Sequence, residues 1–330
     1  MIFVLITLLV GSIIAAVHYA EVIAHKLGEP YGTLVLAVSV TVIEVALIVA
    51  MMLSGSDGAA YIARDAVFAA IMIVVNGVVG LCIFIGGLNH RELGFRIEGP
   101  NSAIAVLAAL ATLTLVLPVF TISSPGPTFT VSQLAFAGVS SLVLYGAFIF
   151  FQTVSHRDYF LPHQSDLKTN AEAHAEPPSR NKTIWSAVLL FIALIFVVGL
   201  AKALSPSIEA GVKALGAPKT IVGIVIAALV LMPESVAALR AARANRLQTS
   251  FNLALGSALA SIGLTIPTVA IISIYFGLPL SLGIGPVNMV LLILTLFVGL
   301  ITLALGKTTI LQGIVHLIIF FTYLFTSLIP

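Results

Sequence analysis

Two glutamates stand in the middle of otherwise apolar runs: Glu44 in VTVIEVALIV (residues 41–50) and Glu234 in VLMPESVAAL (residues 230–239). If such runs cross a bilayer, an ionised carboxylate at the centre costs about 3 kcal/mol on insertion scales and calls for a compensating partner. A proton, a basic side chain and a cation are the candidates. No Lys or Arg falls deep in an apolar run, and Arg240, six residues after Glu234, is placed to reach the membrane surface instead. Protons and mobile cations remain. Two carboxylates brought together repel, so without a cation at least one should hold a proton, whereas a divalent cation would neutralise both. A site that holds either a cation or protons, but not both at once, is the physical basis of antiport.

Other residues could complete such a site. Pro233 has no N–H for the carbonyl of Leu229, so a helix break here would free that oxygen as a cation ligand. Ser39, Thr41, Asn76, Asn252, Ser257 and Ser261 are further oxygen donors of the kind hard cations accept. For each hydroxyl, a bond to its own helix backbone is the commoner alternative. His18, Glu21 and His25 fall on one helical face by spacing, which in water would suggest a metal site; near a span end it points to an interfacial role. Asp65 beside Arg64 reads as a solvated helix-end pair. A hydrolase would need a nucleophile with a base or a zinc motif; HExxH is absent, and no histidine deep in a span accompanies Ser235, Ser257 or Ser261 except His316 in the last span. A channel would not need protonatable groups in both halves of one chain.

The elements that must hold these residues follow from composition. The 330 residues are 60% hydrophobic and 8% charged, against roughly 25% charged in soluble domains. This implies an all-α polytopic membrane protein, bathed in lipid. The 15 Lys and Arg are scattered singly, which excludes a nucleic-acid face, and the single Cys82 excludes a disulfide within one chain. Breaks at charges, glycines and prolines predict ten spans near 2–24, 30–54, 64–88, 102–122, 131–152, 183–203, 219–241, 248–275, 285–305 and 308–328. The first is expected to be a retained span rather than a signal peptide. Loops after odd-numbered spans carry 11 of the 15 Lys and Arg, which predicts that these loops are cytoplasmic and both termini periplasmic. Residues 156–182, containing His156, His163 and His174, become a cytoplasmic linker between residues 1–155 and 183–330.

Each half then has five spans, an odd number, so the second copy must be inverted in the membrane. The second spans align: Glu44 lies twelve residues after Gly32, and Glu234 eleven after Gly223. Of the 13 Asp and Glu, these are the two that fall deep in spans. Each second span is followed by a third bearing polar residues, Asn76 in one and Asn252, Ser257 and Ser261 in the other.

Residues 25–52, 63–87 and 230–267 resemble the paired α-repeats of the calcium/cation antiporter superfamily, most closely its ChaA-like members. The resemblance implies two inverted five-helix repeats, ion sites near the midplane and Glu44 and Glu234 as alternating carriers of cation and proton. It also implies a bacterial inner membrane location and exchange of Ca²⁺, or Na⁺ or K⁺, for H⁺, with no cofactor. Two departures stand out. The linker lacks a run of acidic residues, and the small Gly-Ser pair kept as Gly256 and Ser257 becomes Ile71 and Met72 in the first repeat, which predicts a single ion site.

Overall fold

The computed structural model describes residues 2–28, 31–53, 58–90, 92–161, 178–214, 218 and 220–329. Among them are ten helices long and apolar enough to cross a membrane. They are α1 (Ile2–Leu27), α2 (Tyr31–Met52), α3 (Ala59–His90), α4 (Glu98–Phe120), α5 (Val131–Ser155), α6 (Arg180–Ala214), α7 (Thr220–Arg243), α8 (Leu247–Phe276), α9 (Pro286–Ala304) and α10 (Ile310–Leu328). Helices are the expected solution, because hydrocarbon offers no partner for backbone N–H and C=O groups and a helix satisfies them internally.

All ten expected spans are present. The chief differences in length are α3, which begins five residues before its predicted start, and α6, which runs on to Ala214. The strand content is a two-residue antiparallel ladder, Leu93–Gly94 with Lys307–Thr308, joining the α3–α4 and α9–α10 loops. Both loops follow odd-numbered helices, and the ladder places them on one membrane face, as ten successive spans require. Of the linker histidines, His156 stacks on Phe151 with ring centroids 4.3 Å apart, while His163 and His174 lie outside the described residues.

The packing is that of an inverted repeat. Helix α2 lies against α8 while α7 lies against α3, and α5 lies against α8 while α10 lies against α3. Each contact has its counterpart with the halves exchanged. The fifth helices even begin alike: Thr130 caps α5 in a box with Gln133, and Thr309 caps α10 in a box with Gln312. This reciprocal pair of hydrogen bonds satisfies N–H groups that a helix start leaves open. Buried apolar residues form a large core centred on α3 and α8 and a smaller one among α1, α2, α6 and α7.

Proline and polar residues distort the helices in places the sequence did not indicate. Helix α7 passes through Pro233 without interruption, so the expected break is absent. One proline removes one hydrogen bond, and the flanking turns, packed on α3 and α8, keep the helix continuous. Helix α2, which has Ile43 where α7 has Pro233, is regular throughout, while other helices of the first half contain π-helical turns at Ile73–Val78, Thr112–Val116 and Phe151–Ser155. Such a turn inserts one residue into the helix and rotates the next turns about its axis, often at functional positions.

Candidate ion-binding site

Glu44 and Glu234 are 1% and 5% exposed. Both meet α8. The Ser261 Oγ lies 2.6 Å from each carboxylate oxygen of Glu44, and Ser257 Oγ donates to Oε2 of Glu234. Ser257 and Ser261 are one turn apart, about 6 Å along the axis of α8, so the two carboxylates meet adjacent turns of the same helix. That face is built of small residues, Ala254, Ser257, Ala258 and Ser261, all buried, and their size lets α2 and α7 approach together.

The hydrogen-bond inventory of this pair is unbalanced. Two ionised carboxylates offer about eight acceptor positions, and each serine has one hydrogen to give. Neither glutamate belongs to an ion pair among the described residues. Protons, a cation or water can meet the oxygens left over, and the serine hydroxyls and carboxylates are oxygen ligands of the kind a hard cation accepts.

Of the other expected site residues, some are drawn in and some are not. Ser257 and Ser261 bond the glutamates directly. Ser39 and Thr41 donate instead to the carbonyls of Val35 and Ala37 in their own helix, at 2.8 and 2.9 Å. Asn252 donates to the carbonyl of Phe160 and accepts from Gln248, yet it borders a cavity that also reaches Glu234. Helix α7 is continuous through Pro233, which still has no N–H to give the Leu229 carbonyl. His18, Glu21 and His25 are exposed at the end of α1, and no group of three potential metal ligands is found among the described residues.

Asn76 does not join the glutamates. The π-helical turn that contains it aims its side chain at α9 and α10, where Nδ2 donates to Thr295 Oγ1 at 2.8 Å and Oδ1 lies 3.1 Å from His316 Nδ1. His316 Nε2 is 3.1 Å from Thr302 Oγ1, and Thr295 donates to the sulfur of Met72. An amide oxygen can only accept, so Nδ1 of His316 carries the hydrogen and Nε2 accepts from Thr302. The result is a one-way chain, Thr302 to His316 to Asn76 to Thr295 to Met72, in which every polar group has a partner. Met72, one of the departures from the expected Gly-Ser pair, is its last acceptor.

Asp65 also differs from expectation. It is 7% exposed, two turns inside α3, because α7 closes over it at Gly223, where a Cβ would lie 2.9 Å from the Asp65 Cβ. Arg64 answers its charge, with Nε 2.8 Å from Oδ1, and Nη1 donates to the carbonyl of Gly283 at 3.0 Å.

Two groups escaped the sequence reading as site residues. His316, the core of the neutral chain, lies over Gly80, where a Cβ would come within 2.8 Å of its own Cβ. Tyr145 of α5 lies over Gly263 of α8 in the same way, at 2.7 Å. No local signal marks either side chain, because each contact joins residues more than 100 apart in the chain.

Comparison with known proteins identifies the family and the fold. The family model described as sodium/calcium exchanger protein matches residues 1–154 and 185–329. A putative ionic transporter, y4hA, of Sinorhizobium fredii is 51% identical over 327 residues, covering 98% of this chain and 87% of that protein. The sodium-potassium/proton antiporter ChaA of Escherichia coli is 35% identical over 318 residues, covering 96% and 86%. In fold, the crystal structure of the Ca²⁺/H⁺ antiporter protein YfkE superposes with a TM-score of 0.73 at 16% identity, covering 99% of this chain and 100% of that one. With both halves matched and the intervening linker left out, the chain belongs to the sodium/calcium exchanger protein family.

Proposed function

We propose that this protein is a secondary active cation/proton antiporter in which Glu44 and Glu234 carry the cation and the protons in turn. The observation that carries this reading is the buried pair of carboxylates, one from α2 and one from α7, that take hydrogen bonds from two serines one turn apart on α8. The site is charged when empty and neutral when it holds a divalent cation or two protons. The empty state is held back from turnover by the cost of moving net charge through the low-dielectric interior, so either occupant must be present for the carrier to reorient. That is obligatory exchange.

Ca²⁺ is the cation that two carboxylates neutralise fully, and it accepts carboxylate, hydroxyl and carbonyl oxygens in flexible geometry. Na⁺ or K⁺ is the second reading, favoured by the 35% identity to a relative named as a sodium-potassium/proton antiporter. One carboxylate would then keep a proton while the other meets the monovalent ion. The distribution of Lys and Arg supports a bacterial inner membrane orientation with the 156–182 linker in the cytoplasm and both termini outside. The halves 1–155 and 183–330 act as the two inverted units, with no cofactor required.

The test is exchange in inside-out membrane vesicles carrying an imposed pH gradient, with Ca²⁺, Na⁺, K⁺ and Mg²⁺ added in turn. Proton release by the favoured cation is expected. Because protons and cation compete, the apparent cation affinity should fall as the pH falls. Full exchange in either Glu44→Gln or Glu234→Gln would remove the two-carboxylate mechanism.

A further inference from the structure

Glu234 borders a cavity with side chains that the two-carboxylate site does not use. The cavity is about 20 Å³ and is walled by Tyr145 and Gln152 of α5, Asn252 and Ser257 of α8, and Leu34 of α2. That is room for about one water among polar partners. Tyr145 is 6% exposed, and its hydroxyl is buried with no hydrogen-bond partner. A buried phenol left unbonded is costly; Tyr323 of α10 is left in the same state, but of the two it is Tyr145 that walls the cavity reaching Glu234, where a partner can come and go. The ring is held in place, since a Cβ on Gly263 would lie 2.7 and 2.8 Å from Tyr145 Cβ and Cγ.

The cavity also has a direction. Gln152 follows Tyr145 by two turns toward the end of α5, and Asn252 lies near the start of α8, so the polar wall leads from Glu234 toward the face from which the linker leaves. His316 of α10, which lies over Gly80 of α3, has partners on both ring nitrogens. Of these two side chains only the tyrosine is left open, and it is the one beside a carboxylate.

We infer that the Tyr145 hydroxyl is the access-side partner of Glu234, meeting the proton or cation that reaches this carboxylate from the linker face. A phenol can serve each occupant. Its O–H donates to the ionised carboxylate, directly or through one water, and its oxygen accepts from the protonated carboxyl or adds a lone pair to a cation. The titratable groups that face it are Glu234 from α7 and, one turn along α8, Glu44 from α2. The polar groups of α5 and α8 around the cavity, Gln152, Asn252 and Ser257, do not titrate. The inference rests on the carrier role proposed for Glu234.

The test compares Tyr145→Phe with wild type in inside-out and right-side-out vesicles, measuring the half-saturating cation concentration across a pH series. Loss of one hydrogen bond predicts a rise of about five-fold on the linker face with a displaced pH profile, and a smaller change on the opposite face. An equal effect on both faces, or none on either, overturns the inference. Gly263→Ala, which pushes the ring aside, should reproduce the one-sided change, and the phenylalanine variant decides the matter if the alanine variant does not fold. Glu234→Gln in parallel separates the two claims. If it retains exchange, the carrier reading fails and the tyrosine's role with it; if it abolishes exchange while Tyr145→Phe is silent, only the tyrosine's role is lost.

Discussion

The fifth helices of the two halves place different chemistry over the same kind of glycine. On α10, His316 sits over Gly80 and is the middle of a neutral chain that uses every donor and acceptor it has. On α5, Tyr145 sits over Gly263 beside a carboxylate pair that is short of donors. Both regions are buried and polar, and burial does not separate them. Saturation does: a closed network fixes the packing of α3, α9 and α10, whereas an open one must take up something from outside.

The comparison breaks most visibly at the carboxylates. Glu44→Gln and Glu234→Gln remove charge that cation binding needs, and a buried charge pairing is worth at least about 3 kcal/mol, or roughly 100-fold in exchange. Thermal unfolding in detergent should be unchanged or raised, because a charge that is costly to bury has gone. The neutral chain should respond the other way round. Asn76→Leu leaves the His316 Nδ1–H without an acceptor and takes from Thr295 its donor, and should lower stability by about 1–3 kcal/mol, read as a lower unfolding temperature, with exchange per folded molecule retained. If exchange is lost and stability is not, the division between the two regions is wrong. Combining Asn76→Leu with His316→Leu should cost less than the sum of the two, since removing both partners leaves fewer orphans.

Smaller effects sharpen the picture. Ser261→Ala removes a charge-assisted hydrogen bond of about 1.5 kcal/mol, so the cation concentration for half-maximal exchange should move roughly 10-fold. At the far end of the scale, the exposed Lys307–Glu92 pair, 3.6 Å apart, should be silent: Glu92→Ala is expected to match wild type in unfolding temperature and exchange.

How far the sequence reached depended on the kind of signal. Ten spans were legible because hydrocarbon thickness sets a length that composition must match. Glu44 and Glu234 were legible because a carboxylate in an apolar run is costly wherever it occurs. Ser257 and Ser261 were among several hydroxyls, and their meeting with the glutamates depends on α2 and α7 closing on one face of α8. Asn76 misled because a π-helical turn rotates its side chain away, and nothing in IVVNGVVGL marks the extra residue. Asp65 misled because its burial comes from Gly223, more than 150 residues away in sequence. The matched Thr-Gln capping boxes were visible in both halves and are a sharper sign of the repeat than the apolar pattern around them.

The face from which the linker departs carries a further consequence. Arg96 donates to the carbonyl of Asp158, Gln248 to that of Tyr159 and Asn252 to that of Phe160, while the Arg96 N–H donates to Gln248 at 2.8 Å. The segment that leaves α5 in the first half is thus fastened to the start of α8, in the second. The peptide bonds of the linker are redundant as a tether. Two separate polypeptides, ending and beginning within residues 162–177 and expressed together, should find each other in the membrane and exchange ions as the single chain does.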